Sequence, residues 1–426
     1  VSALSDPTKR RWLAWGALAT VFLLVNLHRL STAVLSGRLS AGFDLTAAQL
    51  GTLHASFFLV YALVQVPTGV LADRVGPRHV GSAGAVLLSA GAVGFALGGS
   101  YPMALFSRAI IGLGSGVIFV SILRFCANWF RTDEFGTMAG LTSGVAGLGA
   151  ILATTPLAVA AATVGWRRTV LALAAVGLLA SVAVYALARS SPAAAGLDPI
   201  EGVPEQPSVS LAGTGRHLRT LAGDLDQWLL SAVFFAGMGT LLTLIGLWGV
   251  PYLVVVYGLD VTTASYFTLL GSVGMFIGPP AIGWFSDRIE RRLLPMSVGL
   301  ALFALALGVI PVFGRPPLPV VAGVYFCCGF LVGAAVLALS VVKERYPPEA
   351  SGVATATVNT AGFVGATVFP TAMGVVLDAY RTGDVVGGTV VYTEFGYRVA
   401  FAIVTGALVV ALLCSLWLFV RNPTPS

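Results

Sequence analysis

Charge is what this sequence has least of: 18 Asp and Glu with 24 Lys and Arg make up 10% of 426 residues, where a soluble domain carries roughly 25%. That shortage excludes an ordinary water-exposed surface, and the 57% of hydrophobic residues points to an integral membrane protein. Cysteine is nearly missing. Cys126, Cys327, Cys328 and Cys414 fall in or beside apolar stretches with no loop pair to bridge, so they read as packing residues. No glycine loop followed by Lys and Ser or Thr is present to cradle a nucleotide, and no His, Cys and acid cluster has metal-ligand spacing. Catalysis, a bound cofactor, a metal site and ATP as energy source are therefore not expected.

At ~20 apolar residues per crossing, the apolar runs divide into twelve helices. The expected spans are 12–36, 47–72, 79–99, 102–128, 134–162, 167–188, 226–256, 262–285, 293–313, 317–342, 349–377 and 397–420. The net charge of +6 is no nucleic-acid footprint, because the basic residues follow membrane sidedness. With the N-terminus inside, fifteen of the 24 Lys and Arg fall on the inner side, among them Lys9, Arg10, Arg11, Arg189 and Lys343. The outer loops hold Arg38, Arg167, Arg168, Arg315, Arg381 and Arg398. This bias puts both termini in the cytoplasm of a cell-membrane protein. The first apolar stretch is too long for a cleavable signal peptide and carries Arg29 within it.

The chain reads as a duplication. Gly69, Asp73, Arg74 and Arg78 return at an offset of 214 residues as Gly283, Asp287, Arg288 and Arg292, each set in a loop between apolar segments. The same offset relates Leu45 to Leu259 and Pro156 to Pro370. Internal duplication of membrane segments is a signature of transporters. A Pro-, Ser- and Gly-rich stretch separates the halves, giving a six-helix bundle over residues 1–190, a cytoplasmic linker over 191–224 and a second six-helix bundle over 225–426. A short amphipathic helix is expected near 217–221. Between the last two spans, the sequence from Val385 to Val391 can form a small hairpin around Gly387–Gly388.

Polar residues inside the spans are few, and each has a structural as well as a functional reading. Arg29 follows Asn26-Leu27-His28, about seven residues or ~10 Å from the outer end of the first span. A guanidinium at a span's centre costs ~2.5–3.5 kcal/mol on insertion scales, so it should face protein or a wet cavity; the alternative is snorkelling to the outer headgroups. Arg108 lies about as deep in the fourth span, ahead of a glycine run at Gly112, Gly114 and Gly116 that suits close helix approach. Arg124 either lines an inner vestibule or, the preferred reading, pairs with Asp73, Asp133 or Glu134 in a cytoplasmic gate. Tyr61, Gln65, Trp248, Tyr252 and Asn359 are cavity candidates by helix and depth, or equally interhelical packing residues. Gly246, Gly249 and Pro251 should loosen the outer end of the seventh span. Every Asp and Glu lies in a loop or near a helix end, so a cavity lined by Arg29 and Arg108 needs an anion to balance it.

The repeated Gly-x-x-x-Asp-Arg-x-Gly-x-Arg loop, complete at Gly69, Asp73, Arg74, Gly76 and Arg78, resembles the signature of the major facilitator superfamily, and the likeness covers nearly the whole chain. The second loop departs from it with Glu290 at the Gly76 position. The resemblance implies an all-α membrane fold of twelve helices in two pseudo-symmetric six-helix bundles, a midplane site and alternating access, with the loop charges latching the cytoplasmic side. The first four helices look most like the anion:cation symporter and organophosphate branches, by Asn26-Leu27-His28-Arg29 and by Arg108. That match implies that Arg29 holds an anionic group of the substrate and Arg108 supports it. Two acids of those symporters are absent, replaced by His28 and Ser115. His28 is a candidate for proton coupling because an imidazole titrates near neutral pH, and is also a candidate packing residue; uniport, anion exchange and sodium coupling remain open.

The expected function is that of a monomeric secondary transporter of a small organic anion: a carboxylate, sugar acid or phosphorylated metabolite. The alternatives are an exporter of drugs or siderophores and, in another class, a transporter-fold solute sensor.

Overall fold

A computed structural model describes residues 6–198, 200–203, 221–386 and 389–421, with the side chains of residues 66, 69–74, 132, 348–349, 385–386 and 389–390 outside the description. The expected short helix at 217–221 therefore falls almost wholly outside the described residues. So do the side chains of Gly69, Asp73 and Arg74 and the hairpin tip at 387–388.

Among the described residues, twelve helical stretches are long and apolar enough to cross a membrane. The first half comprises α1 (Pro7–Leu30), α2 (Thr32–Phe43), α3 (Ala47–Val75), α4 (Pro77–Leu97), α5 (Tyr101–Gly116), α6 (Ile118–Trp129), α7 (Thr132–Leu152), α8 (Thr155–Ala160) and α9 (Trp166–Leu187). The second comprises α10 (Leu225–Thr243), α11 (Gly249–Tyr257), α12 (Val261–Arg288), α13 (Leu293–Phe313), α14 (Leu318–Arg345), α15 (Pro348–Ala379), the strands β1 (Arg381–Val386) and β2 (Thr389–Tyr392), and α16 (Glu394–Arg421). Strands β1 and β2 form the expected hairpin, antiparallel with Val386 opposite Thr389.

The first span departs from expectation. It pauses at Ser31 and resumes as α2 to Phe43, seven residues beyond the expected end. Leu35, Leu39 and Phe43 recur every fourth residue and are buried, so one apolar face continues past the polar residues Ser36 and Arg38. Arg29 is accordingly fourteen residues of sequence before the end of α2 at Phe43, twice the seven counted to the expected end of the span. The fourth span is interrupted at Val117, directly after its glycine run, and the fifth between α7 and α8, just before Pro156. In the seventh span, the expected loosening is a π turn at Leu244–Trp248 that joins α10 to α11.

The 214-residue repeat extends to backbone conformation. Helices α3 and α12 begin at equivalent residues, Ala47 and Val261. The turns before them reverse at the equivalent Asp44 (φ 51°) and Gly258 (φ 68°), and the charged loops at the equivalent Gly76 (φ 84°) and Glu290 (φ 52°). Ser31, where the first span pauses, is equivalent to Ile245 within the π turn. Asp44 and Glu290 are the only two non-glycine residues with positive φ in the described chain, a conformation that costs an L-residue roughly 1–2 kcal/mol.

Contacts divide the chain into two compact units. The first comprises Val1–Arg29, Val60–Leu152 and Ala160–Leu211. In it α4 packs on α5 and α9, its small residues letting the helices close up; the Ser181 hydroxyl donates to the Ser82 carbonyl at 3.0 Å. The second comprises Leu30–Leu59, Ala153–Val159 and Ala212–Ser426. Here the main pairings are α12 with α14, α10 with α15 and α13 with α16. The start of α3 also belongs to this unit. A Cβ on Gly51 would run into the Pro370 carbonyl of α15, so only glycine allows that approach. The Asp378 carboxylate, 331 residues on, accepts from the backbone N–H groups of Ala47 and Ala48, each at 2.8 Å, and so caps α3.

Candidate functional site

In the first unit, α1 delivers His28 and Arg29 at its last turn, α3 delivers Tyr61 and α5 delivers Arg108. A helix that stops at Leu30 leaves the carbonyls of its final turn short of intrahelical donors. Arg108 supplies one: its Nη1 donates to the His28 carbonyl at 2.9 Å across 80 residues of sequence. The Arg108 side chain is 1% exposed, and its guanidinium carbon lies 5.8 Å from the centre of the Phe95 ring. Arg29 is half-buried, with its guanidinium carbon 4.9 Å from the centre of the Tyr61 ring. An aromatic face under a guanidinium holds its plane without drawing on the in-plane N–H donors. The structure thus brings together four of the sequence candidates, His28, Arg29, Tyr61 and Arg108, around one interruption in a helix. Gln65, one turn beyond Tyr61 on α3, is half-buried. Phe95 escaped the sequence reading because α4 otherwise looks like a featureless packing helix; an isolated aromatic among small residues was the signal.

The second-unit candidates divide. Trp248 is buried and its indole N–H donates to the Pro370 carbonyl at 3.0 Å. Tyr252 is buried and its hydroxyl donates to the Gly314 carbonyl at 2.7 Å. Asn359 is half-buried on α15. His54, which the sequence reading did not single out as a site residue, is fully buried against the π turn: a Cβ on Gly246 would lie 3.0 Å from its ring.

The charged loops were expected to act as latches. In the second, Arg292 pairs with Asp287 and with Glu344 at the end of α14, the latter at 2.8 Å. Hydrogen bonding to Glu344, and then to Asp287, raises the pKa of Arg292 above its ordinary value. Gly283 and Arg288 lie on the last turns of α12. In the first, Gly76 has a backbone conformation suited to glycine, and Arg78 stacks on Tyr185 at 3.9 Å. Of the acids proposed for Arg124, Asp133 pairs with Arg131 at 2.8 Å and Glu134 with Arg11 at 2.8 Å.

Among curated relatives, a probable sulfoacetate transporter of Cupriavidus necator is 26% identical over 69% of this chain and 70% of its own. A hexuronate transporter of Bacillus subtilis is 25% identical over 83% of this chain and 84% of its own. A membrane sensor protein of Escherichia coli is 25% identical over 78% of each. Among solved structures, a bacterial homologue of the human lysosomal transporter Spinster superposes with a TM-score of 0.77 at 18% identity, covering 95% of this chain and 97% of that one. It establishes the fold alone. The sequence profile of the Major Facilitator Superfamily matches residues 11–370, a range that takes in both charged loops, Arg29 and Arg108. With twelve membrane-length helices among the described residues, the chain is a multi-pass membrane protein of the Major Facilitator Superfamily.

Proposed function

We propose that this protein is a secondary transporter carrying a small organic anion (a carboxylate, sugar acid or phosphorylated metabolite) by alternating access, with Arg29 as the main anion ligand. One observation carries the reading: Arg108 reaches the backbone carbonyl of His28, the residue before Arg29, in spans whose interiors contain no Asp or Glu. Desolvated cations at that depth are costly, and a bound anion offsets the cost. Arg108, with Nη1 held by the His28 carbonyl, acts as a brace that fixes where Arg29 emerges. Relatives named for sulfoacetate and hexuronate, both organic anions, support the same class. Gln65, in the same unit as Arg29, stays in the proposed contact set. Trp248 and Tyr252, with their donors committed to backbone carbonyls, serve the framework. The Arg292, Asp287 and Glu344 cluster is a charged latch. The basic-residue bias supports a cytoplasmic-membrane location with both termini inside. No catalytic role is proposed.

The test is a thermal-shift screen of purified protein against carboxylates, sugar acids, phosphates and lipophilic cations, repeated on Arg29→Ala. A ligand at 100 times its Kd adds about 2.7 kcal/mol. Stabilisation by one anion class that vanishes in the variant is expected; stabilisation by lipophilic cations alone, indifferent to Arg29, replaces the reading with a drug exporter. Proton coupling through His28 predicts that uptake into proteoliposomes is driven by an inward proton gradient and loses that drive in His28→Gln. The similarity to a membrane sensor protein favours a second reading, solute sensing. Anion binding without counterflow in proteoliposomes would select it.

A further inference from the structure

Several basic side chains at the helix ends of this protein face an acid. Arg11 pairs with Glu134, Arg131 with Asp133, Arg292 with Asp287 and Glu344, and both Arg345 and Arg421 with Asp226. Three other arginines of the first unit converge on one place, the end of α9. Arg10 Nε donates to the Leu187 carbonyl at 3.2 Å. Arg189 Nη1 donates to the carbonyls of Tyr185 at 2.9 Å and Ala188 at 3.5 Å. Arg78 lies over the Tyr185 ring at 3.9 Å, with its Nε buried and donating to nothing among the described residues. No described carboxylate forms an ion pair with any of the three.

Capping alone does not account for the cluster. A helix C-terminus presents the equivalent of about half a negative charge, and three guanidinium groups exceed it several-fold. The surplus is felt within the cluster: burial, and then repulsion from Arg78 and Arg10, lowers the pKa of Arg189. Its surroundings say what kind of anion fits. Tyr185 is 50% exposed, and the same stretch of α9 carries Leu178, Leu179 and Val182, all exposed and apolar. A tyrosine between an apolar helix face and a basic cluster marks a membrane–water boundary, and basic pockets between membrane helices at such boundaries take anionic headgroups.

We propose that Arg10, Arg78 and Arg189 form a binding site for the phosphate of an anionic phospholipid, whose acyl chains lie along Leu178, Leu179 and Val182 of α9. The site ties the starts of α1 and α4 and the end of α9 to one lipid, and it is independent of the anion carried.

Native mass spectrometry of the full chain, titrated with cardiolipin, phosphatidylglycerol or phosphatidylcholine, tests it. One anionic lipid per protein is expected, bound at least tenfold more weakly by the double variant Arg10→Gln/Arg189→Gln. The variant Arg291→Gln/Lys343→Gln, which removes the same charge from exposed positions, should bind like the parent. Should the first variant prove unstable, Arg10→Lys/Arg189→Lys keeps the charge and is expected to retain binding within about threefold; a loss there refutes charge as the basis. Equal binding of phosphatidylcholine, or equal weakening in both Gln variants, overturns the site. Displacement of the lipid by millimolar inorganic phosphate, dependent on Arg10 and Arg189, reassigns it to a soluble anion and overturns the lipid proposal.

Discussion

Exchanging the residues at the two equivalent loop positions, Gly76 and Glu290, should move stability in opposite directions. Gly76 has φ 84° and ψ 157°, a region essentially restricted to glycine that costs other residues about 1–3 kcal/mol. In Gly76→Ala the new Cβ also meets the Ser190 hydroxyl. The expected loss is therefore about 2–3 kcal/mol, of which only the steric part should return in Gly76→Ala/Ser190→Ala. Glu290 has φ 52° and is exposed, at the end of a helix where the Arg291 N–H reaches back to the Ser286 carbonyl at 3.4 Å. That is a helix stop which favours glycine. Glu290→Gly relieves roughly 1–2 kcal/mol of left-handed strain and gives back about 0.5–1 kcal/mol in unfolded-chain freedom, a net gain of about 0.5–1 kcal/mol. The assay is reversible unfolding in mixed detergent micelles followed by tryptophan fluorescence. Unchanged stability in Gly76→Ala, or complete rescue by Ser190→Ala, would refute the argument that backbone conformation sets the residue at this position.

Two other perturbations follow from the caps. Asp378→Ala removes the acceptor for two backbone N–H groups at the start of α3 and should cost about 1 kcal/mol, with Asp378→Asn intermediate, measured in the same unfolding assay. Asp260 caps α12, and the Thr263 hydroxyl at 2.6 Å, followed by backbone N–H groups, lowers its pKa. Its contribution is then fully present above the unfolded carboxylate value of about 3.9 and is lost as pH falls through the lower folded value. Because the side chain is exposed, the effect should be a few tenths of a kcal/mol. A parent and Asp260→Asn that lose stability identically between pH 5 and 3 would contradict it.

Much of this architecture was legible because the membrane imposes a coarse code. Span length follows from hydrocarbon thickness, and the duplication from charged residues that hydrocarbon does not tolerate elsewhere. Arg29 and Arg108 stood out for the same reason. What the sequence concealed depends on partners distant in the chain. The run on to Phe43 rests on an apolar face that Ser36, Gly37 and Arg38 disguise. Trp248 and Tyr252 read as cavity or packing residues by helix and depth alone, because the carbonyls their donors reach, at Pro370 and Gly314, lie 122 and 62 residues further on. Glu290 departs from the motif's glycine, whereas its backbone shares the positive φ of Gly76.

The carboxylate that caps α3 has a consequence for biosynthesis. Asp378 is made 331 residues after Ala47, a delay of roughly 20–60 s at about 5–20 residues per second. Until then the first amides of the second span must find water or lipid headgroups, so that end of the helix is finished only when the eleventh span has left the ribosome. A truncation that stops after the first half would release a second span with a frayed first turn, a natural recognition point for membrane quality control.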